Sequence, residues 1–149
     1  MKREALTEKI VAIKRKKKLG WKALAAKIDA KASPIFITAA LLGQMCLLPE
    51  QAQRAAKVLG LSAEEAADLV EIPYRGSLPA AVPTDPMIYR FYELVQVYGT
   101  TLKALIEEEF GDGIMSAIDF DMQLERLPDP KGDRVKFTLS GKFLPYKRY

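Results

Sequence analysis

The chain has 149 residues, 49% of them hydrophobic and 28% charged, with a net charge of +4, the balance of one or two small globular domains. No apolar run approaches the ~18 residues of a membrane span. The charged start Met1-Lys2-Arg3-Glu4 leads into neither an apolar core nor a cleavage site, so no secretory signal is expected and the expected compartment is the cytosol. With no histidine and a single cysteine, intrachain disulfides, cysteine-rich zinc sites and nucleophile–histidine pairs are all excluded, and catalysis has to run on Arg, Lys, Glu, Asp, Ser, Thr or Tyr.

Leu6, Ile10 and Ile13 recur at helical spacing and predict a first helix. The basic block Lys14-Arg15-Lys16-Lys17-Lys18 follows them, where it suits the negative end of a helix dipole and reads first as a solvated helix end. Gly20 breaks the pattern, and Trp21, Leu24, Ala25 and Ile28 define a second short helix. Ser33-Pro34 is an N-cap followed by proline at the first helical position. Cys46 lies in the apolar stretch Leu41 to Leu48 and reads as an inert core thiol. Pro49 opens a helix carrying Ala52, Ala55, Ala56 and Leu59 that stops at Gly60, and Ser62 with Glu65 forms a capping box for a fifth.

The connector from Pro73 to Pro83 is rich in proline and glycine, which places a domain boundary there, with domains at 1–75 and 76–149. Asp85-Pro86 caps a new helix with Met87, Ile88, Phe91, Leu94, Val95 and Tyr98 along one side. Gly99 is expected to interrupt it, with Thr100 or Thr101 capping a further helix that ends near Phe110-Gly111. The period then changes from helical to alternating. Phe120, Met122 and Leu124 alternate with polar residues, as do Val135, Phe137 and Leu139, across the turn-rich segment Pro128 to Asp133. An isolated two-stranded hairpin is marginal in water, so its expected partner is another copy of the chain.

The N-terminal half is similar to five-helix repressor-type helix-turn-helix domains, and its basic block suits phosphate contacts. The helix in the recognition position argues against DNA reading. It runs Pro34-Ile35-Phe36-Ile37-Thr38-Ala39-Ala40-Leu41-Leu42, with no side chain able to make a bidentate base contact. Such an apolar helix is expected in a core or against a partner.

The second half carries the more specific pattern. Pro83-Thr-Asp-Pro86, Tyr89-Arg90-Phe91-Tyr92-Glu93, Val97 to Leu105 and Phe110-Gly-Asp-Gly-Ile-Met-Ser-Ala-Ile118 resemble the signature of the cyanase (cyanate hydratase) family. Ala39 to Gln44 and the ending Gly141-Lys142-Phe143-Leu144-Pro145 are similar to that family too. Read without the family, Arg90 and Glu93, three apart, are a solvent-exposed ion pair on one helix face, and Ser116 is a helix cap. Gly111 and Gly113 are too few for a phosphate-cradling loop.

The resemblance implies a fuller account. It places Arg90, Glu93 and Ser116 on the family's catalytic triad, with Arg90, Ser116, Ala117 and Leu144 as the anion-binding set. It implies bicarbonate-dependent breakdown of cyanate to ammonia and carbon dioxide, with no metal or other cofactor. It implies a decamer of five dimers with active sites where subunits meet. The expected fold is α+β: a five-helix repressor-like bundle, then a small C-terminal domain of helices plus a β-hairpin that pairs with another subunit. No specific nucleic acid and no membrane are expected as partners.

Overall fold

The computed structural model describes residues 3–149; Met1 and Lys2, which open the charged start of the sequence, lie outside the described residues. The chain divides after Ser77 into two compact units.

In the first unit, α1 (Arg3–Lys16), α2 (Trp21–Asp29), α3 (Pro34–Leu41), α4 (Pro49–Leu59) and α5 (Ala63–Asp68) enclose one apolar core. Its largest fully buried side chains are Leu6, Ile10, Leu24, Ile28, Ile37, Leu41, Leu59 and Leu69, each worth about 1.5–3 kcal/mol of transfer free energy. From α3 only the face with Ile37, Ala40 and Leu41 enters this core, while Phe36 and Leu42 are exposed. Cys46 is a free thiol of intermediate exposure.

Local chemistry sets several helix ends. Gly60 takes the left-handed conformation at φ 77° where α4 stops, a geometry that a Cβ disfavours. Ser62 Oγ accepts from Glu65 N (3.1 Å) and Glu65 Oε2 accepts from Ser62 N (2.9 Å), the expected capping box. Glu65 is 4% exposed and also accepts from Lys9 Nζ at 2.6 Å. These contacts, Lys9 foremost, hold its carboxyl below the ordinary range. The basic block has structural work too. Lys17 Nζ donates to the Val58 carbonyl in the last turn of α4 (2.7 Å), and Lys14 Nζ stands 4.7 Å over the Trp21 ring.

Arg3 forms a link the sequence did not announce. Its guanidinium donates to the carbonyls of Ala40 (2.6 Å) and Asp68 (3.0 Å), at the ends of α3 and α5. Burial lowers the Arg3 pKa, and the nearby Asp68 opposes that shift. Gln51 makes a second link. It accepts from Leu48 N (3.0 Å) and donates to Asp29 Oδ2 (2.9 Å), fastening the start of α4 to the end of α2.

The second unit holds α6 (Pro86–Phe110) and an antiparallel hairpin of β1 (Gly113–Leu127) and β2 (Arg134–Pro145). Asp85 Oδ1 caps α6 by accepting from Met87 N (2.9 Å) and Ile88 N (3.0 Å). The expected break at Gly99 is absent, and α6 runs unbroken for 25 residues, so one helix stands where two were predicted. Glycine removes only a side chain from the backbone ladder, costing ~1 kcal/mol against alanine in a helix interior. A long helix absorbs that cost.

β1 also begins earlier than its alternation suggests, so Ser116 lies in a strand and not at a helix cap. The register shows why the alternation was hidden. Met115 pairs with Phe143 and Phe120 with Gly141, so five steps along β1 match two along β2 and three extra residues form a bulge. Because that excess is odd, Met115 shares a face with Phe120, Met122 and Leu124, opposite Phe143, Leu139 and Phe137. Phe137 meets Phe91 of α6 edge-on with centroids 5.3 Å apart, and Phe143 meets Phe110 at the same separation.

Candidate active site

Arg90 and Glu93 sit in the first two turns of α6, where the Asp85 cap and Pro86 fix the start of the helix. Their spacing brings Arg90 Nη1 to 3.9 Å from Glu93 Oε2, with the side chains 65% and 52% exposed. At that distance and exposure the pair adds at most ~1 kcal/mol of stability. Most of the guanidinium's five donors are therefore not committed to Glu93.

Ser116 is built differently. It is 5% exposed, in a unit whose long helix has no buried residue. Its Oγ accepts from the backbone N–H groups of Ile118 and Asp119, each at 3.0 Å. A hydroxyl oxygen has two acceptor positions and one proton. With both acceptor positions occupied, the side chain is left as a donor, and its oxygen is held by backbone rather than by a free rotamer.

Ala117, the next residue in the bulge, is exposed. Leu144 pairs with Ile114 across the hairpin and is 42% exposed. The hairpin therefore gathers Ser116, Ala117 and Leu144 in one region. Among the described residues, no hydrogen bond or ion pair joins Arg90 or Glu93 to Ser116. The family resemblance names these residues, but the bulge that seats Ser116 does not show in it. Alternation is broken on both sides of Ser116, by the adjacent apolar pairs Ile114-Met115 and Ala117-Ile118, so the sequence carries no strand signal there.

Among the described residues no group of three or more His, Cys, Asp or Glu is placed to hold a metal ion, and no helix is long and apolar enough to cross a membrane.

Both units match models of one lyase family: the cyanate hydratase N-terminal domain over residues 3–73 and the cyanate lyase C-terminal domain over residues 80–148. The chain is 62% identical to a cyanate hydratase of Ralstonia pickettii (strain 12J) and 60% identical to one of Dechloromonas aromatica (strain RCB), with all of both chains covered in each case. Its fold is similar to the crystal structure of cyanase from T. urticae, with a TM-score of 0.80 and 38% identity over 94% of this chain and 96% of that one. The chain belongs to the cyanate hydratase (cyanate lyase) family, and it is an enzyme of the lyase class.

Proposed function

We propose that this chain decomposes cyanate with bicarbonate as the second substrate, at a site made by Arg90, Glu93 and Ser116, with Ala117 and Leu144 completing the anion-binding set. Full-length kinship to cyanate hydratases supports the reaction. The observation that supports the site best is the Ser116 hydroxyl, held by two backbone N–H groups and left to donate.

Cyanate and bicarbonate are both anions, and joining them gathers two negative charges in one adduct. Arg90 supplies a permanent, forked counter-charge suited to oxygen ligands. Ser116 donates to an anion oxygen, with the Ala117 N–H alongside, so part of the developing charge meets donors that need not reorganise. Glu93, itself an anion, orients Arg90 from one helical turn away. A bicarbonate oxygen attacks the cyanate carbon, the adduct loses carbon dioxide to leave carbamate, and carbamate releases ammonia and a second carbon dioxide. Protons taken up from water complete the ammonia. No electron transfer occurs, so the scheme calls for no cofactor. Holding two mutually repelling reactants side by side is a large part of the catalysis.

The site is read as shared between copies of the chain. α6 exposes Met87, Leu94, Val95 and Leu102, and the hairpin has no third strand among the described residues. Both features call for a protein partner, and a homo-oligomer, a decamer of five dimers, provides one. The N-terminal unit is read as a repressor-like scaffold without a DNA-reading role, because α3 exposes Phe36 and carries no Arg, Lys, Asn or Gln to read base edges. The cytoplasm is the compartment this reading assigns.

The decisive assay is ammonia release from cyanate with and without added bicarbonate. Release that depends on bicarbonate is the expected result; turnover at the full rate without it refutes the two-anion scheme.

A further inference from the structure

We propose that Gly141 is a positioning residue for Ser116, and this rests on reading Ser116 as the substrate-binding hydroxyl. Gly141 lies on β2 opposite the bulge, paired with Phe120. Glycine inside a strand weakens it unless a close backbone approach requires the space. Gly141 is not among the glycines of positive φ, so what it provides is room. A Cβ at this position would overlap the Ser116 carbonyl oxygen and stand 2.5 Å from Met115 Cγ and 3.2 Å from Met115 Sδ. The bulge thus rests directly against the backbone of β2.

That contact bears on the chemistry through one short segment. The residue whose carbonyl abuts Gly141 is the residue whose Oγ accepts from Ile118 N and Asp119 N. A methyl group at 141 has to push the Ser116 peptide away, since backbone offers no rotamer through which to yield. Moving that peptide opens the turn from Ser116 to Asp119 and releases the hydroxyl from its two N–H donors. Gly113 is crowded in a similar way, but against Phe143, Leu144 and Pro145, so its space serves the base of the hairpin.

The test is a double-mutant cycle on the assembled enzyme, reading kcat/KM for cyanate under saturating bicarbonate. Ser116→Ala alone should lose about ten- to a hundred-fold, the loss of one hydrogen bond to charge. Gly141→Ala alone should lose a similar factor or more, because the displaced peptide also carries the Ala117 N–H, and should cost clearly less in the Ser116→Ala background, where only the Ala117 donor is left to lose. Amide exchange in Gly141→Ala should accelerate at Ile118 and Asp119 while the ladder from Met122 to Leu127 stays protected; a merely structural glycine would loosen the whole hairpin. Wild-type activity in Gly141→Ala, or a loss that multiplies in full with that of Ser116→Ala, overturns the proposal. If Gly141→Ala does not assemble, Met115→Ala/Gly141→Ala is compared with Met115→Ala, since removing the methionine side chain leaves the Ser116 carbonyl as the main obstacle. If that variant also fails to assemble, Gly141 serves architecture and the proposal falls. Full activity in Ser116→Ala would refute the site itself, a result distinct from failure at Gly141 alone.

Discussion

The two units of the chain treat their apolar side chains in opposite ways. The first encloses an apolar core between Leu6 and Leu69, closed by caps, a capping box and the Arg3 clamp. The second buries none of α6 and leaves Phe91, Leu94, Val95 and Val97 substantially exposed. Aliphatic content does not separate them, because both are rich in leucine, isoleucine and valine. What separates them is whether five short helices can cover one another, as in the first unit, or one long helix has only a two-stranded ribbon to lie on. The first unit therefore finishes its fold within the chain. The second displays the surface of an unfinished core, and it carries every residue assigned to the chemistry.

The sharpest way to exploit that contrast is to disable the second unit while leaving its surface intact. Arg90→Ala should lower bicarbonate-dependent ammonia release by about a thousand-fold or more, and Arg90→Lys should recover little, since a point charge lacks the fork. Glu93→Gln should keep part of the activity if Glu93 mainly orients Arg90, and less if it moves protons. All should retain the native particle by light scattering; near wild-type turnover in Arg90→Ala would sink the assigned site.

Attacking the display itself is the next largest perturbation. Val95→Asp places a charge on the exposed apolar face of α6, where desolvating it against a partner is costly. The native particle should be several-fold heavier than the 16.6 kDa chain, and the variant should fall toward that mass with loss of turnover. An unchanged particle would show that this face is not the interface.

Leu24→Ala strikes the other unit. Leu24 is fully buried, so the cavity should cost about 2–5 kcal/mol in denaturant unfolding of that unit. Activity per folded particle should not change, and a proportional fall in kcat would mean that the units are not separable in this way.

The smallest expected effect concerns pH. The Glu65 pKa is lowered from the ordinary 4.5 by Lys9 and the Ser62 N–H. A carboxylate with a depressed folded pKa stabilises fully above its unfolded value, and that contribution fades as pH falls through the folded one. Glu65→Gln can still close the capping box but forfeits the ion pair. The melting-temperature gap between wild type and Glu65→Gln should be constant above about pH 5 and should narrow on acidification below 4.5. A gap that stays constant to pH 3 would refute this account.

Features set by neighbours a few residues away were legible in the sequence. The Ser62–Glu65 box, the Asp85 cap and the stop at Gly60 all appear where local spacing put them. Features set by distant partners were not. Gly99 looked like a breaker because its low propensity is local, whereas the continuity of α6 is cooperative along the helix. Arg3 looked like one more charge near the start, because the carbonyls it reaches belong to residues 40 and 68. Ser116 looked like a cap because the strand around it becomes visible only once β2 is laid beside it. The family signature supplied the names of Arg90, Glu93 and Ser116; nothing in their spacing foretold that the serine oxygen would be saturated by backbone.

The bulge also says something about economy of length. A hairpin with three fewer residues in β1 would pair Met115 and Phe120 with the same partners, keep every apolar side chain on its present face and run as an unbroken ladder. For folding alone, the shorter chain is the simpler design. Yet the longer one is used, and the surplus falls at Ser116 to Asp119 and nowhere else in the ribbon. An engineer trimming this protein for stability would be drawn to that segment first, and would obtain a tidier hairpin with no seat for its serine.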